Sequence, residues 1–248
     1  MGTKPLIIWK GGLTETGKRA VNSHTGSMAG EKVVWEAFSK QTGVVMVDNF
    51  EEFLDVTAVF PHFTKGNYQR VAVVGGGGAV GVAASDTCEQ VGLQVPILPD
   101  YIQEQLKAIL PPAGTSIRNP VDVGAPAVPP LIFKNVLESI LSWNKIDTLI
   151  IDRIFLYGYP QLSGVSDVDS EKRVQVLLDV KKSFSTPILT VLGELTTDED
   201  RIDTEIERRR VQSRLLQAGI AVLPSLRRAA IAISDICSYY DKVSQARS

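Results

Sequence analysis

From Arg70 onward, short apolar runs alternate with longer amphipathic ones, and this alternation constrains the fold more than any other feature of the chain. The short runs are RVAVV, LQVPIL, DTLIID, PILTVLG and IAVLP, and a segment with helical periodicity follows each of them. This pattern is typical of buried parallel strands joined by crossover helices. Five strand–helix units complete a flavodoxin-like domain, so we predict an α/β fold with a doubly wound parallel sheet in the order 2-1-3-4-5.

The first 65 residues contain only two units of this kind. KPLIIWKGG and VVMVD are predicted strands, and helical periodicity is found in ETGKRAVNSHTG, GEKVVWEAFSKQTG and NFEEFLDVTAVF. Two strands with their helices make a poor independent sheet. We therefore interpret residues 1–65 as a partial flavodoxin-like segment and residues 66–248 as a complete domain, with the polar stretch at 61–69 as the linker.

Composition and charge narrow the possible function classes. The net charge of -2 and the pI near 5.8 argue against binding of nucleic acid or of an anionic membrane through bulk electrostatics. No apolar run is long enough to cross a membrane, and the N-terminal apolar segment is too short for a signal peptide. Cys88 and Cys237 stand far apart without metal-binding spacing, which predicts buried free thiols, no metal site and a cytoplasmic location.

A glycine run follows the first strand of the second domain. Gly76, Gly78 and Gly81 satisfy GxGxxG between a strand and a helix, the context of a dinucleotide site, but LQVPILPD provides only Asp100, after a proline, as the expected acid. The glycines also suit a sharp turn that packs a helix close to the sheet. A third interpretation is a cradle for a phosphoryl group, because exposed amides at a helix N-terminus bind anions. GK[ST] is absent, so the run is not a P-loop.

His24 is the candidate carrier of that phosphoryl group. It is one of two histidines, and its neighbours are small or polar residues that expose backbone amides to a bulky anion: Thr25, Gly26, Ser27 and Gly30. Lys10 and Arg19 provide positive charge upstream. An imidazole can accept a phosphoryl group as a covalent relay. The alternative is a surface or structural histidine, which we also assign to His62.

The motif NPVD at 119–122 couples a turn-forming Asn-Pro to an acid. We interpret it as a loop whose Asp122 caps a helix or binds backbone amides, and we favour this over a catalytic role.

The stretch KPLIIWKGGLTETGKRAVNSHTGSMAGEKVVW resembles the segment around the phosphorylated histidine of NDP-forming acyl-CoA synthetases, the ADP-forming acetate–CoA ligase family related to succinyl-CoA synthetase. The resemblance rests on KGG after a strand, on SHTGS, on the following AG and on the ending GVVMVDNFEEFLDV. Residues 70–240 are similar to the flavodoxin-like domain that follows in this family, with its glycine-containing loop, an LPP and an NPVD.

The resemblance implies the reaction acyl-CoA + NDP + phosphate ⇌ acid + CoA + NTP. His24 matches the histidine that relays phosphate between the acyl phosphate and the nucleotide. The loop from Gly75 to Gly81 matches a helix N-terminus that faces the phosphohistidine, so the predicted binding residues there are Gly75, Gly76, Gly77, Gly78 and Ala79. CoA and ATP or ADP with Mg²⁺ are then substrates of the assembled enzyme, and none is expected to bind this chain tightly.

The sequence also departs from the family pattern. The family's CoA-binding domain, its ATP-grasp domain, the first strands around the histidine and the glutamate that orients the histidine ring are not in these 248 residues. The loop reads VGGGGAVG where the family commonly has Asn-Ala-Gly-Gly-Pro-Gly. We expect the CoA-binding and ATP-grasp domains on other chains or missing segments, an oligomeric assembly, and no activity of this chain alone. The alternatives are a non-catalytic interaction subunit and a dinucleotide-binding Rossmann-like protein.

Overall fold

A computed structural model describes residues 4–25, 30–64, 66–124, 128–155, 167–193 and 202–245. The chain separates into two compact units, each with its own parallel strands. The first unit comprises Met1–Asn67 together with Ala232–Ser248, and the second comprises Tyr68–Ile231. No helix within the described ranges is long and apolar enough to cross a membrane.

The first unit is built around a two-stranded parallel sheet. Its elements are β1 (Ile7–Trp9), α1 (Glu15–Thr25), α2 (Lys32–Thr42), β2 (Val45–Val47), α3 (Phe50–Val59) and a 3-10 turn (Phe60–His62). Ile7 pairs with Val45, and Trp9 pairs with Val47. Asn49 caps α3, since its Oδ1 accepts a hydrogen bond of 2.8 Å from the Glu52 amide. The strands and helices predicted for this segment are therefore present.

The second unit contains a five-stranded parallel sheet. Its strands are β3 (Val71–Gly75), β4 (Val121–Asp122), β5 (Thr148–Asp152), β6 (Ile188–Val191) and β7 (Ala221–Leu223). They lie in the order β4-β3-β5-β6-β7, and every neighbouring pair is parallel. Counted within this unit, that order is 2-1-3-4-5, which confirms the predicted flavodoxin-like sheet.

Six helices in the described ranges accompany the second sheet. They are α4 (Gly78–Gln90), α5 (Asp100–Ile109), α6 (Pro130–Leu141), α7 (Asp167–Ser183), α8 (Ile202–Gln217) and α9 (Leu226–Gln245). The main apolar core joins β3, β5 and β6 to the buried faces of α5, α6 and α7. The second part of α9 belongs to the first unit, where the Tyr240 hydroxyl donates to the Phe63 carbonyl at 2.9 Å. Cys88 and Cys237 are buried free thiols, as predicted.

One predicted strand is wrong. LQVPIL was expected to be the second strand of the sheet, but it contributes only a bridge between Gln94 and Arg70. Pro96 has no amide to continue a ladder. The side chain of Asn119 takes over instead: its Nδ2 donates to Val71 O, and its Oδ1 accepts from Val73 N, both at 2.9 Å. The second strand of the sheet is β4. It pairs with Val74 and Gly75 of β3, beyond the residues whose backbone bonds the Asn119 side chain.

Candidate functional site

The glycine loop leaves the carboxyl end of β3. A Cβ on Gly75 would lie 2.6 Å from the backbone oxygen of Asp152, so β3 and β5 approach as closely as they do only because Gly75 has no side chain. Gly77 follows with a φ of 95°, a conformation that favours glycine. Two of the predicted site glycines are thus required by backbone geometry.

Gly77 is also the N-cap of α4. Its carbonyl accepts hydrogen bonds from Val80 N at 3.0 Å and from Gly81 N at 3.2 Å. Gly78 and Ala79 are exposed, and within the described part of the chain their amides donate to no protein group. Free amides at the start of a helix attract anions, because they carry the positive end of the helix dipole. The loop therefore has the chemistry of an anion cradle.

Asp122 anchors this loop from the neighbouring strand. Its Oδ1 accepts hydrogen bonds from Gly77 N at 3.1 Å and from Gly124 N at 2.9 Å. The prediction that Asp122 binds backbone amides is confirmed. The acid predicted to be missing from the end of the second strand is present, since β4 ends at Asp122, but its Oδ1 already accepts from two backbone amides. This arrangement favours a structural role for Asp122 over dinucleotide recognition.

A cavity of about 640 Å³ lies beside the loop, at the carboxyl ends of β5 and β6. Parallel α/β sheets bind ligands at this edge. Its wall includes Ala79 and Val80 from α4 and the cationic side chains of Arg153 and Arg227. No ion pair to Arg227 is found among the described residues. The cavity has apolar walls and cationic groups, a combination that suits an organic anion.

Asp152 is the only acid among the described residues that line this cavity. It is 4% exposed, and burial raises the pKa of its carboxyl, while the neighbouring Arg153 opposes that rise. Arg153 itself has a φ of 55°, which is uncommon for a residue with a side chain. Strained backbone and buried acids concentrate at functional sites, so these two residues make the edge a candidate site independently of the glycines. Sequence reasoning missed both, although Asp152 ends the predicted strand DTLIID.

His24 lies in the last turn of α1 and is exposed. The helix begins after Thr14, whose Oγ1 accepts from Gly17 N at 3.1 Å. Lys18 Nζ lies 3.1 Å from Glu15 and 3.1 Å from Glu31, and so joins α1 to the start of α2. The hydrogen bonds that Lys18 donates to these two acids raise its pKa, with the bond to Glu31 the larger cause. The ion pairs therefore join the two sides of the segment that contains His24.

The remaining predicted groups around His24 are only partly described. Gly26 and Ser27 lie outside the described residues, as does the side chain of Thr25. Lys10 Nζ lies 5.7 Å from the centre of the Trp35 ring, in a cation–π contact, and Arg19 Nη2 donates to Thr16 Oγ1 at 3.2 Å. His24 and Thr25 belong to the first unit, and the loop from Gly75 to Ala79 belongs to the second.

Family models match most of the chain. The model of the succinyl-CoA ligase like flavodoxin domain matches residues 1–60, and that of the ligase-CoA domain matches residues 71–183. The chain is thus built from two domain types that CoA ligases use.

Among CoA ligases, the chain is similar to ADP-forming acetate–CoA ligases. The chain is 37% identical to the ADP-forming acetate–CoA ligase of Methanocaldococcus jannaschii, over 51% of this chain and 18% of that protein. It is 39% identical to the alpha subunit of ADP-forming acetate–CoA ligase II of Pyrococcus furiosus, over 50% of this chain and 27% of that subunit.

A solved structure agrees with these relatives. The dinucleotide forming acetyl-coenzyme A synthetase 1 of Ca. Korarchaeum cryptofilum, in complex with phosphate and ADP, superposes with a TM-score of 0.75 and 25% identity, over 99% of this chain and 49% of that one. The two family models, these relatives and this structure together confirm the resemblance inferred from the sequence, which is to a fragment of an NDP-forming acyl-CoA synthetase. The chain spans about half of the solved structure and about a quarter or less of the two curated relatives.

Proposed function

We propose that this chain supplies the phosphoryl carrier, His24, of an NDP-forming acyl-CoA synthetase that interconverts acyl-CoA, NDP and phosphate with acid, CoA and NTP. The observation that carries the proposal is an exposed histidine at the end of α1, within the segment that matches the succinyl-CoA ligase like flavodoxin domain. An exposed imidazole at a helix end can reach substrates on more than one side.

The chemistry asked of His24 is two phosphoryl transfers. In the first, an imidazole nitrogen attacks the phosphorus of the acyl phosphate, the N–P bond forms as the O–P bond breaks, and the carboxylate leaves. In the second, an oxygen of the NDP attacks the same phosphorus and the N–P bond breaks, which regenerates the imidazole. The relay splits one difficult transfer into two easier ones. Catalysis of such steps depends on positioning and on stabilisation of charge at the phosphoryl oxygens.

The glycine loop is proposed to supply that stabilisation. The amides of Gly78 and Ala79 and the N-terminus of α4 favour a doubly charged phosphoimidazole. Thr25, Gly26 and Ser27, the next residues of the chain after His24, are proposed to donate hydrogen bonds to the phosphoryl group. This assignment is supported by the free amides at the start of α4 and by the adjoining cavity with Arg153 and Arg227.

The nucleotide and CoA sites are proposed to come from an ATP-grasp domain and a CoA-binding domain, on other chains or in further segments of the protein. The small share of the curated relatives that the chain spans supports this. The β1–β2 sheet supports it too, because Leu6, Trp9 and Leu54 around it are 55%, 50% and 49% exposed. Apolar surface of this kind marks a contact with further strands or chains.

The direct test is to incubate the assembled complex with magnesium and ATP labelled in the γ-phosphate. We expect acid-labile, base-stable label on wild type and none on His24→Ala. His62→Ala is the matched control, because His62 is the other histidine of the chain, and it should label like wild type. Equal labelling of His24→Ala and wild type would show that the relay is elsewhere.

A second candidate is a non-catalytic interaction subunit of a related complex, which the exposed apolar residues of the first unit favour. In that case the chain co-purifies with its ATP-grasp or CoA-binding partners, and replacement of His24 leaves turnover of the complex unchanged.

A further inference from the structure

We propose that Asp122 is a positioning residue of the phosphoryl site. Its carboxylate accepts a hydrogen bond from the Gly77 amide and thereby fixes the glycine loop. The next two amides, those of Gly78 and Ala79, are then directed at the ligand. The inference rests on the proposed function, since it assumes that the loop binds a phosphoryl group. It adds a residue to which no role in the reaction has been given above.

Asp122 is itself held rigidly. It pairs with Gly75 across the β3–β4 ladder, and it exchanges two backbone hydrogen bonds with Ser116, of 2.9 and 3.1 Å. Val123 N also donates to Gly75 O at 3.0 Å. The carboxylate therefore projects from a backbone that is bonded on both sides, and a rigid support is what a residue needs if it is to orient another group.

The loop, in contrast, cannot orient itself. Four consecutive glycines, residues 75–78, have more conformational freedom to lose than any other sequence of this length. Gly77 must nevertheless hold a φ of 95° for its carbonyl to cap α4. The hydrogen bond from Gly77 N to Asp122 Oδ1, 3.1 Å long, is the only side-chain hydrogen bond to the backbone of residues 75–78 in the described part of the chain. Without it the start of α4 samples several loop conformations.

Asp122 has two opposite effects on anion binding: its negative charge weakens binding, and its hydrogen bonds to the loop strengthen it. A carboxylate beside an anion site repels the anion, whereas hydrogen bonds to a charged acceptor hold an amide more firmly than those to a neutral one. If the charge dominated, removal of the carboxylate would tighten anion binding in every variant. If positioning dominates, the result depends on whether the new side chain still accepts the two amide hydrogen bonds. The two effects can therefore be separated by a pair of variants.

The experiment is a titration of the full-length, isotopically labelled chain with inorganic phosphate, followed through the backbone amide resonances. In wild type the largest shifts are expected at Gly78 and Ala79, with a smaller one at Gly77. Asp122→Asn keeps an acceptor oxygen and should bind phosphate as tightly as wild type or tighter. Asp122→Ala loses the acceptor and should bind about tenfold more weakly, which is the effect of one hydrogen bond together with the loop order it imposes.

The matched control is Asp86→Ala, which removes an exposed acid from α4 without touching the loop. It should leave phosphate affinity unchanged or slightly higher. Asp122→Ala binding as tightly as wild type would overturn the inference, because charge alone would then explain the site. Asp122→Asn weakening as much as Asp122→Ala would overturn it as well.

A measurement on wild type keeps the inference testable if Asp122→Ala fails to fold. The amides of Gly77 and Gly124 should exchange with solvent more slowly than those of Gly78 and Ala79, since only the first two are bonded to Asp122. Equal exchange rates would contradict it. Absence of phosphate shifts at Gly78 and Ala79 would refute the cradle and the inference together, whereas loss of labelling at His24 alone would refute the relay and leave Asp122 as the organiser of an anion site.

Discussion

The two units of the molecule bury their apolar residues to different extents. In the second unit β3, β5, β6 and β7 are buried along their whole length. In the first unit β1 is half-buried and ends in Trp9, which is 50% exposed, while Val33 and Val34 of α2 are 70% and 61% exposed. Both units have the same strand–helix pattern in their sequences. The difference shows that this pattern leads to burial only where enough strands and helices are present to cover both faces of a sheet.

The difference in burial between the two units can be tested most directly by truncating one apolar side chain in each unit. Ile151→Ala, in β5, should lower the free energy of unfolding by about 4 kcal/mol, because removal of a fully buried side chain leaves a cavity. Leu54→Ala on α3, where the side chain is 49% exposed, should cost less than about 1 kcal/mol. Denaturant-dependent amide exchange in β5 and in β2 measures the two units separately. Equal losses would mean that the first unit is packed as tightly as the second.

The next largest effect on stability is expected from a buried acid of the first unit. Asp235 on α9 has a buried Oδ2 without a hydrogen-bond partner, and its pKa is raised to about 7 by burial and by Glu52 and Asp48, against the opposing charge of Lys242. The unfolded chain releases this proton near its ordinary pKa of 3.8, so the folded state binds more protons between about pH 4 and 7. Stability should therefore fall as pH rises through that window, by at most about 4 kcal/mol, and level off above it.

Asp235→Asn should remove this pH dependence, as measured by urea unfolding of the first unit between pH 4 and 8. Glu51→Gln, an exposed acid on α3, is the control and should keep the wild-type slope. A slope that persists in Asp235→Asn would assign the effect to another group.

Glycine replacements compare close packing in the two units. Gly75→Ala places a Cβ 2.6 Å from the Asp152 backbone oxygen and should cost about 3 kcal/mol, because two strands must move apart. Gly11→Ala in the first unit meets nothing within 4 Å and should change stability by less than about 1 kcal/mol. Thermal unfolding of both variants tests this, and a tolerated Gly75→Ala would show that β3 and β5 can separate without loss.

Ion pairs should show the smallest difference. Asp147 accepts from Arg70 Nε at 2.9 Å and from Nη2 at 2.6 Å, and its side chain is 10% exposed. Asp147→Asn should therefore cost about 1–2 kcal/mol in the second unit. The Lys18–Glu31 pair of the first unit is exposed, so Glu31→Gln should produce no measurable change in unfolding. A salt titration checks both, because the exposed pair alone should be screened.

Sequence reasoning found the strands that consist of apolar runs and failed where pairing depends on polar residues. The runs at β3, β5, β6 and β7 are apolar and regularly spaced, so local pattern was sufficient. β4 is only two residues long and follows Asn119 and Pro120, so no periodicity indicates it. LQVPIL has the composition of a strand, but Pro96 prevents a continuous ladder. The Asn119 side chain that replaces it is recognisable only once Val71 and Val73 are its neighbours.

The candidate site divides in the same way. His24 and the loop from Gly75 to Ala79 were identified from the sequence, because small residues beside a histidine and glycines between a strand and a helix are local signals. The hydrogen bonds of Asp122 were foreseen only as a type, without their partners. Arg153, Arg227 and Asp152 were not foreseen at all, since single charged residues at strand ends and helix starts have no distinctive sequence context.

The sequence by itself determined the alternation of strands and helices, the order of the second sheet, the family, and the positions of the histidine and of the glycine turn. These follow from periodicity and from backbone freedom, which are properties of neighbouring residues. Only the tertiary structure decided that β4 completes the sheet, that Asp122 holds an amide 45 residues away, and that two arginines line a cavity beside the loop. Those contacts join residues that are distant in the sequence, so they form, and contribute to stability, only once the sheet has brought these residues together.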